Sequence, residues 1–214
     1  MNKNLLILGA GQYGTVAKEI AEEMGCFDKI DFLDDTFGME ETEGNYHEQS
    51  IGKLSDLDKF TDNYTYAICA IGNAETRQLW TNRITEECYR IPVLSSPRAF
   101  ISKSAQLRHG DIIEPMAVVH ANAVVGIATF VSAGAVVNHN SFTSDYCHIN
   151  CNSVVLSGAI VSPYTKTQAG EVIRANPNKF TLKNTTKDGS NNIVVKKEKL
   201  PITPIGDYNF DDVM

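Results

Sequence analysis

From Ile101 onward the chain keeps a strict step of six: Ile101, Leu107, Ile113, Val119, Val125, Val131, Val137, Thr143, Ile149, Val155, Val161, Thr167 and Ile173. Eleven of these 13 positions are aliphatic, and no insertion breaks the count. Four places after each start, from Ala105 to Glu171, ten of 12 residues are small, with Asp111 and Glu171 as the exceptions. A helix repeats near 3.6 and an amphipathic strand at two, so neither yields an unbroken period of six. Chance alternation in a segment rich in Val and Ala would lose register within a few repeats, whereas this one holds through 12. A coil of short strands satisfies the pattern if each hexad forms one flat side, with a large and a small residue facing in. That is a hexapeptide β-solenoid. Three sides per turn predict 18 residues per coil and about four coils.

The residues before the repeats follow a different rule. Asn4 to Leu8 is a short apolar run ending in Gly9-Ala-Gly-Gln-Tyr-Gly14. Thr15 to Met24 has helical spacing, with Val16, Ile20, Ala21 and Met24 on one face. Lys29 to Leu33 reads as a second strand closed by Asp34-Asp35, and Tyr66 to Ile71 as a third closed by Gly72-Asn73. Ala74 to Thr85 reads as a helix, and Tyr89 to Leu94 as a fourth strand. Alternating strands and helices predict a small parallel sheet with crossover helices, Rossmann-like in kind. Residues 36–63, acidic and Gly-containing, read as a looser connection with one short helix. The predicted division is residues 1–97 for the α/β half, 98–180 for the solenoid and 181–214 for a C-terminal extension.

Composition narrows the function. A net charge of -7 argues against a nucleic-acid surface, which needs clustered Lys and Arg. It leaves room for a small anion held by backbone amides. No apolar run approaches the roughly 20 residues that span a bilayer, and the first residues lack the apolar core of a signal peptide, so the expected address is the cytoplasm. Five cysteines, Cys26, Cys69, Cys88, Cys147 and Cys151, have no paired spacing, so neither a disulfide framework nor a metal site is expected.

Two of the five histidines, His139 and His148, lie nine residues apart inside the repeats. Nine is half of an 18-residue coil, so within one chain the two imidazoles lie on different sides of the prism. A neighbour's side must be brought alongside for them to meet, as a threefold assembly would do. The last hexad position is aliphatic or aromatic in nine of 12 repeats, and such an apolar outer side favours association.

Taken together, the glycine loop Gly9 to Gly14, Phe32-Leu-Asp-Asp35, Ala70-Ile-Gly-Asn73, the hexads, Asn138-His139-Asn140 and His148 resemble the hexapeptide-repeat sugar acyltransferases. The likeness spans about residues 3–180. More closely, the chain is similar to the family of sialic-acid O-acetyltransferases and nucleotide-linked amino-sugar N-acetyltransferases. The resemblance implies a left-handed parallel β-helix, a homotrimer, and acetyl-CoA lying between neighbouring solenoids. It implies His139 as the general base, a task for which neutral imidazole with a pKa of about 6.5 is suited. It places His148 near the thioester end of CoA, with Ser157 and Gly158 as candidates for the oxyanion amides and Lys179 as a candidate for the CoA phosphates. The family usually carries Glu or Asp directly after the catalytic histidine. Asn140 stands there instead, so a weaker base is expected, with Asp145 as a possible substitute.

The same resemblance gives the acceptor, a nucleotide sugar, to Gly9, Gly11, Tyr13 and Gly14, with Asp34 and Asp35 near base and ribose and Gly72 and Asn73 nearby. Tyr13 replaces a frequent His. Read alone, GxGxxG with Asp34 20 residues after Gly14 also fits an NAD-dependent oxidoreductase. That alternative gives the solenoid no work, and its α/β half is too short for two mononucleotide-binding halves. A γ-type carbonic anhydrase would need histidines one hexad apart, which His109, His120, His139 and His148 do not supply. A non-catalytic scaffold stays open. The expected function is acetyl-CoA-dependent N-acetylation of a nucleotide-linked amino sugar for surface-glycan synthesis, with sugar O-acetylation as the alternative. The tail is expected either to remain an appendage or to cover the last coil through Ile193 to Val195.

Overall fold

The computed structural model describes residues 2–39 and 48–175, which lie within one compact unit. Four parallel strands, β1 (Asn4–Leu8), β2 (Lys29–Leu33), β3 (Ser50–Gly52) and β4 (Tyr66–Cys69), form a sheet in the order β3-β2-β1-β4. Leu5, Leu6, Ile7 and Leu8 are all fully buried, as expected for a central parallel strand covered on both faces. One face packs on α1 (Gln12–Met24), whose Ala17, Ile20 and Ala21 share a core with Leu5 and Ile7. The other buries Leu6 and Leu8 against Leu54 and Leu57 of a 3-10 helix (Leu54–Phe60) and Ile84 of α2 (Ala74–Glu86).

The fourth strand of this sheet differs from the expected one. It is Ser50–Gly52, inside the stretch read as a loose connection. Of Tyr89 to Leu94, a single bridge between Tyr66 and Arg90 joins the sheet. Pro92 has no N–H to continue the ladder, and Leu94 already belongs to the solenoid.

The solenoid is built from two-residue strands: β5 (Leu94–Ser95), β6 (Phe100–Ile101), β7 (Ile112–Ile113), β8 (Val118–Val119), β9 (Val124–Val125), β10 (Phe130–Val131), β11 (Val136–Val137), β12 (Phe142–Thr143), β13 (His148–Ile149), β14 (Val154–Val155), β15 (Ile160–Val161) and β16 (Val172–Ile173). They stack in parallel on three faces, β5-β7-β10-β13, β6-β8-β11-β14-β16 and β9-β12-β15. Partners lie 18 residues apart, as in Phe130↔His148 and Val136↔Val154, which is the predicted coil length. The first strand sits one hexad upstream of Ile101, where Ser95 hides the aliphatic signal. The inward column, including Val119, Val131, Ile149 and Val155, is fully buried with the small residues Ala117, Ala123, Ala135 and Ala159.

The two acidic exceptions at small positions have a common cause. Asp111 Oδ2 accepts the Arg108 N–H at 2.7 Å, and Glu171 Oε2 accepts the Gln168 N–H at 2.7 Å. Each carboxylate caps a donor three residues back, at a corner. The corners themselves are left-handed. The fourth residue of every hexad from Gly110 to Gly170 has positive φ, including Met116 (62°), Asn122 (58°), Asn140 (56°) and Tyr146 (58°). The α/β half covers the face β5-β7-β10-β13, where Leu94, Ile112 and Phe130 join the core of α1.

Candidate active site

The 18-residue coil stacks residues of equal phase along each corner, and one corner gathers a polar ladder. His139 and Asn140 turn the chain between β11 and β12; Asn122 lies one coil before Asn140, and Ser157 one coil after His139. Asn122 Nδ2 donates to Asn140 Oδ1 at 3.3 Å. Asn140 Nδ2 lies 3.0 Å from His139 Nδ1, and Ser157 Oγ lies 3.0 Å from the same nitrogen. Asn138 Oδ1 accepts the His139 N–H at 2.7 Å, fixing the backbone of the turn. The imidazole is exposed, and its hydrogen-bonded nitrogen is Nδ1. Asp145 does not reach this ladder. It occupies the matching place on the next corner, where its Oδ1 accepts the Ile127 N–H at 2.9 Å, so the substitute carboxylate expected beside His139 is engaged elsewhere.

His148 is set quite differently. Its side chain points out of the solenoid, as its hexad position requires, but toward the α/β half of its own chain. The ring meets Tyr13 and Phe130 edge-on at 5.6 and 5.7 Å, and Nε2 pairs with Ser132 Oγ at 2.9 Å. Nδ1 is buried with no hydrogen-bond partner among the described residues. Burial first, then the charges of Lys166 and Arg77, push its pKa down to about 4, so the imidazole is neutral.

Beside it opens a cleft of about 330 Å³ between the start of α2 and the solenoid, lined in part by Gly72, Asn73, His148, Tyr164 and Lys166. Asn73 caps α2, its Oδ1 accepting the Thr76 N–H at 2.8 Å. A helix N-terminus on one wall and Lys166 on the other suit a bound anion. Gly72 and Asn73, assigned from the sequence to the acceptor, and His148, assigned to the donor, therefore face one space.

The glycine loop is tightly determined. A side chain at Gly14 would lie 2.1 Å from the Gly9 carbonyl oxygen, and Gly9 itself has φ of +102°. Gly11 is the N-cap of α1 and meets nothing. Asp34 Oδ2 accepts the Ala10 N–H at 2.8 Å, and its other oxygen accepts from the Thr36 N–H and hydroxyl. It braces the loop after β1. Asp35 is exposed, with Oδ1 accepting from Leu54 N at 3.3 Å. Because the order β3-β2-β1-β4 reverses between β1 and β4, the Gly9 and Gly72 turns flank the switch point, the usual ligand crevice of such sheets. Tyr13 instead turns into the solenoid, stacking on Phe130 at 4.1 Å and donating to Glu114 Oε1 at 2.9 Å. Burial holds its hydroxyl well above its ordinary pKa.

Gly158 holds its corner at φ of +70° beside Ser157. Lys179 and the Ile193 to Val195 segment lie outside the described residues. Cys147 packs inside the solenoid, where burial pushes its thiol up to about 11, and among the described residues no group of three or more His, Cys, Asp or Glu is placed to hold a metal ion. Asn122 belongs to no motif of the sequence, although stepping 18 back from Asn140 finds it. Arg77 and Glu114, which tie the two halves together, carry no such signal.

Residues 4–84 match the PglD N-terminal domain. The acetyltransferase domain of PglB from Neisseria gonorrhoeae FA1090, solved with acetyl coenzyme A, is similar at 26% identity and a TM-score of 0.73, covering 80% of this chain and 82% of that one. A mutant of perosamine N-acetyltransferase from Caulobacter crescentus, solved with CoA and GDP-perosamine, matches at 19% identity and a TM-score of 0.72, covering 81% and 89%. PerB from the same organism, with the same two ligands, matches at 18% and 0.68 over the same shares.

Proposed function

We propose that this chain, whose residues 4–84 belong to the PglD N-terminal domain family and whose fold is that of the hexapeptide-repeat, left-handed β-helix sugar N-acetyltransferases, moves an acetyl group from acetyl-CoA to the amino group of a nucleotide-linked sugar. The observation that carries this reading is His139, an exposed imidazole on a solenoid corner whose Nδ1 is held by Asn140 and Ser157. In the reaction the sugar nitrogen attacks the thioester carbonyl while Nε2 takes its proton. Backbone amides near Ser157 and Gly158 stabilise the oxyanion, and its collapse expels the CoA sulfur. The α/β half takes the nucleotide at the switch-point crevice, and the solenoid, which begins at Leu94, takes the donor.

The partner is a second and third copy of this chain. His139 and His148 lie on different sides of one solenoid, and the outer rows of the uncovered faces are apolar, with Phe100 56% and Val172 44% exposed. A threefold assembly covers those rows and brings a donor groove against the His139 corner. The test is CoA release from acetyl-CoA in the presence of UDP-, dTDP-, GDP- and CMP-linked sugars. Turnover with an amino sugar, abolished in His139→Ala, is the expected result. Release with hydroxyl acceptors alone would replace N-acetylation by O-acetylation.

A further inference from the structure

Resting on that reading, we infer that Ser157 is a positioning residue. Its hydroxyl accepts the Nδ1 proton of His139 and thereby keeps Nε2 bare for the substrate, in place of the carboxylate that a histidine base ordinarily leans on. Two groups converge on Nδ1, Asn140 Nδ2 and Ser157 Oγ, each at 3.0 Å. Neutral imidazole carries one proton on two nitrogens, so whichever group sets the state of Nδ1 sets that of Nε2.

The amide of Asn140 is itself oriented. Its Oδ1 accepts from Asn122 Nδ2 at 3.3 Å, and Asn122 is anchored by its own N–H donating to Ser104 Oγ at 3.1 Å. The ladder from Ser104 through Asn122 thus points a donor, Asn140 Nδ2, at His139. A donor there asks Nδ1 to accept, which would place the proton on Nε2 and leave no base. A serine hydroxyl can accept as well as donate. Ser157 is the group at this corner that can take Nδ1–H with the amide in place; the Asn140 N–H then makes no hydrogen bond to the ring, so the two groups compete for Nδ1 and the serine sets the catalytic state. When Nε2 receives the substrate proton, both ring nitrogens carry hydrogen, and Nδ1–H then requires an acceptor, which Ser157 Oγ supplies. The serine stays neutral throughout, and the proton on Nε2 leaves with the CoA sulfur.

The test reads the tautomer directly. Long-range 1H–15N correlation on the full-length labelled protein at mildly alkaline pH, with His139→Asn for assignment, should show Nδ1 protonated and Nε2 bare. Ser157→Ala should shift His139 toward the Nε2–H form. Adding Asn140→Asp to Ser157→Ala should restore Nδ1–H, because a carboxylate at that place accepts, and Asp tolerates the left-handed corner. In turnover, kcat should fall on the order of 10-fold or more in Ser157→Ala with the KM for acetyl-CoA unchanged, and recover in the double variant. Nε2–H in the wild type, or an unchanged tautomer in Ser157→Ala, overturns the inference. So does a loss that appears only in the KM for acetyl-CoA, which would make the serine a CoA contact. The spectra need no turnover, so a wild type that acetylates nothing defeats the function while the tautomer still decides the serine.

Discussion

His148 shows how one residue couples the fold to pH. The folded chain holds it neutral, with a pKa of about 4, because the ring is buried against Tyr13 and Phe130 and faces the charges of Lys166 and Arg77. The unfolded chain takes up that proton at the ordinary value of about 6.5. The stability owed to a neutral imidazole is therefore fully present above pH 6.5 or so. It declines as the pH falls, and the loss is complete below about 4. Thermal melting between these limits should show a fall in Tm for the wild type that is flattened in His148→Phe, which keeps the aromatic packing and cannot charge. An equal slope in both proteins would mean that other groups set the acid limit.

At the scale of elements, the corners carry a cost that the hexads alone do not reveal. Each needs a left-handed fourth residue, and Met116, at φ of 62° and 74% exposed, meets that need with a side chain poorly suited to it. Met116→Asn should raise the urea midpoint by the equivalent of about 1 kcal/mol at fixed protein concentration, because Asn tolerates this backbone and little packing is lost. This also explains what could be read from the sequence and what could not. The inward columns repeat by residue type, since a prism core accepts only large against small, and so period and coil length were legible. The corners repeat by backbone angle, which Gly, Asn, Met, Ala and Tyr all meet here, and so the turn position carried no readable pattern. The strand Ser50–Gly52 was too short to show alternation. The failure of Tyr89 to Leu94 as a strand was written in Pro92. The hexad phase of His148 points its side chain outward, but nothing in a period of six says which outer face a distant helix will cover.

For the whole molecule, what unites sheet and solenoid is a buried cation. Arg77 of α2 is fully buried, lies 4.1 Å above the Phe130 ring, and spreads its guanidinium over backbone carbonyls from both halves. Nε donates to Ala128 O at 2.8 Å and Nη2 to Tyr146 O at 2.7 Å, the carbonyls of left-handed corner residues one coil apart. Nη1 reaches Ile71 O and Gly72 O at 2.9 and 3.1 Å. Five donors in a planar fork can meet carbonyls in three directions, which a lysine ammonium cannot do from one point. Arg77→Met should therefore leave those acceptors unpaired in a dry interface and destabilise the protein by about 3 kcal/mol or more, and Arg77→Lys should lose nearly as much. Because Gly72 and Arg77 also wall the cleft beside His148, the loss should extend to the site. Urea unfolding followed by both tryptophan fluorescence and circular dichroism is the measurement. Trp80 lies in α2, so an early fluorescence transition in Arg77→Met, ahead of the loss of β signal, is the expected result. Coincident transitions at the wild-type midpoint would show that the apolar contact of α1 with Leu94, Ile112 and Phe130 is enough to hold the two halves together.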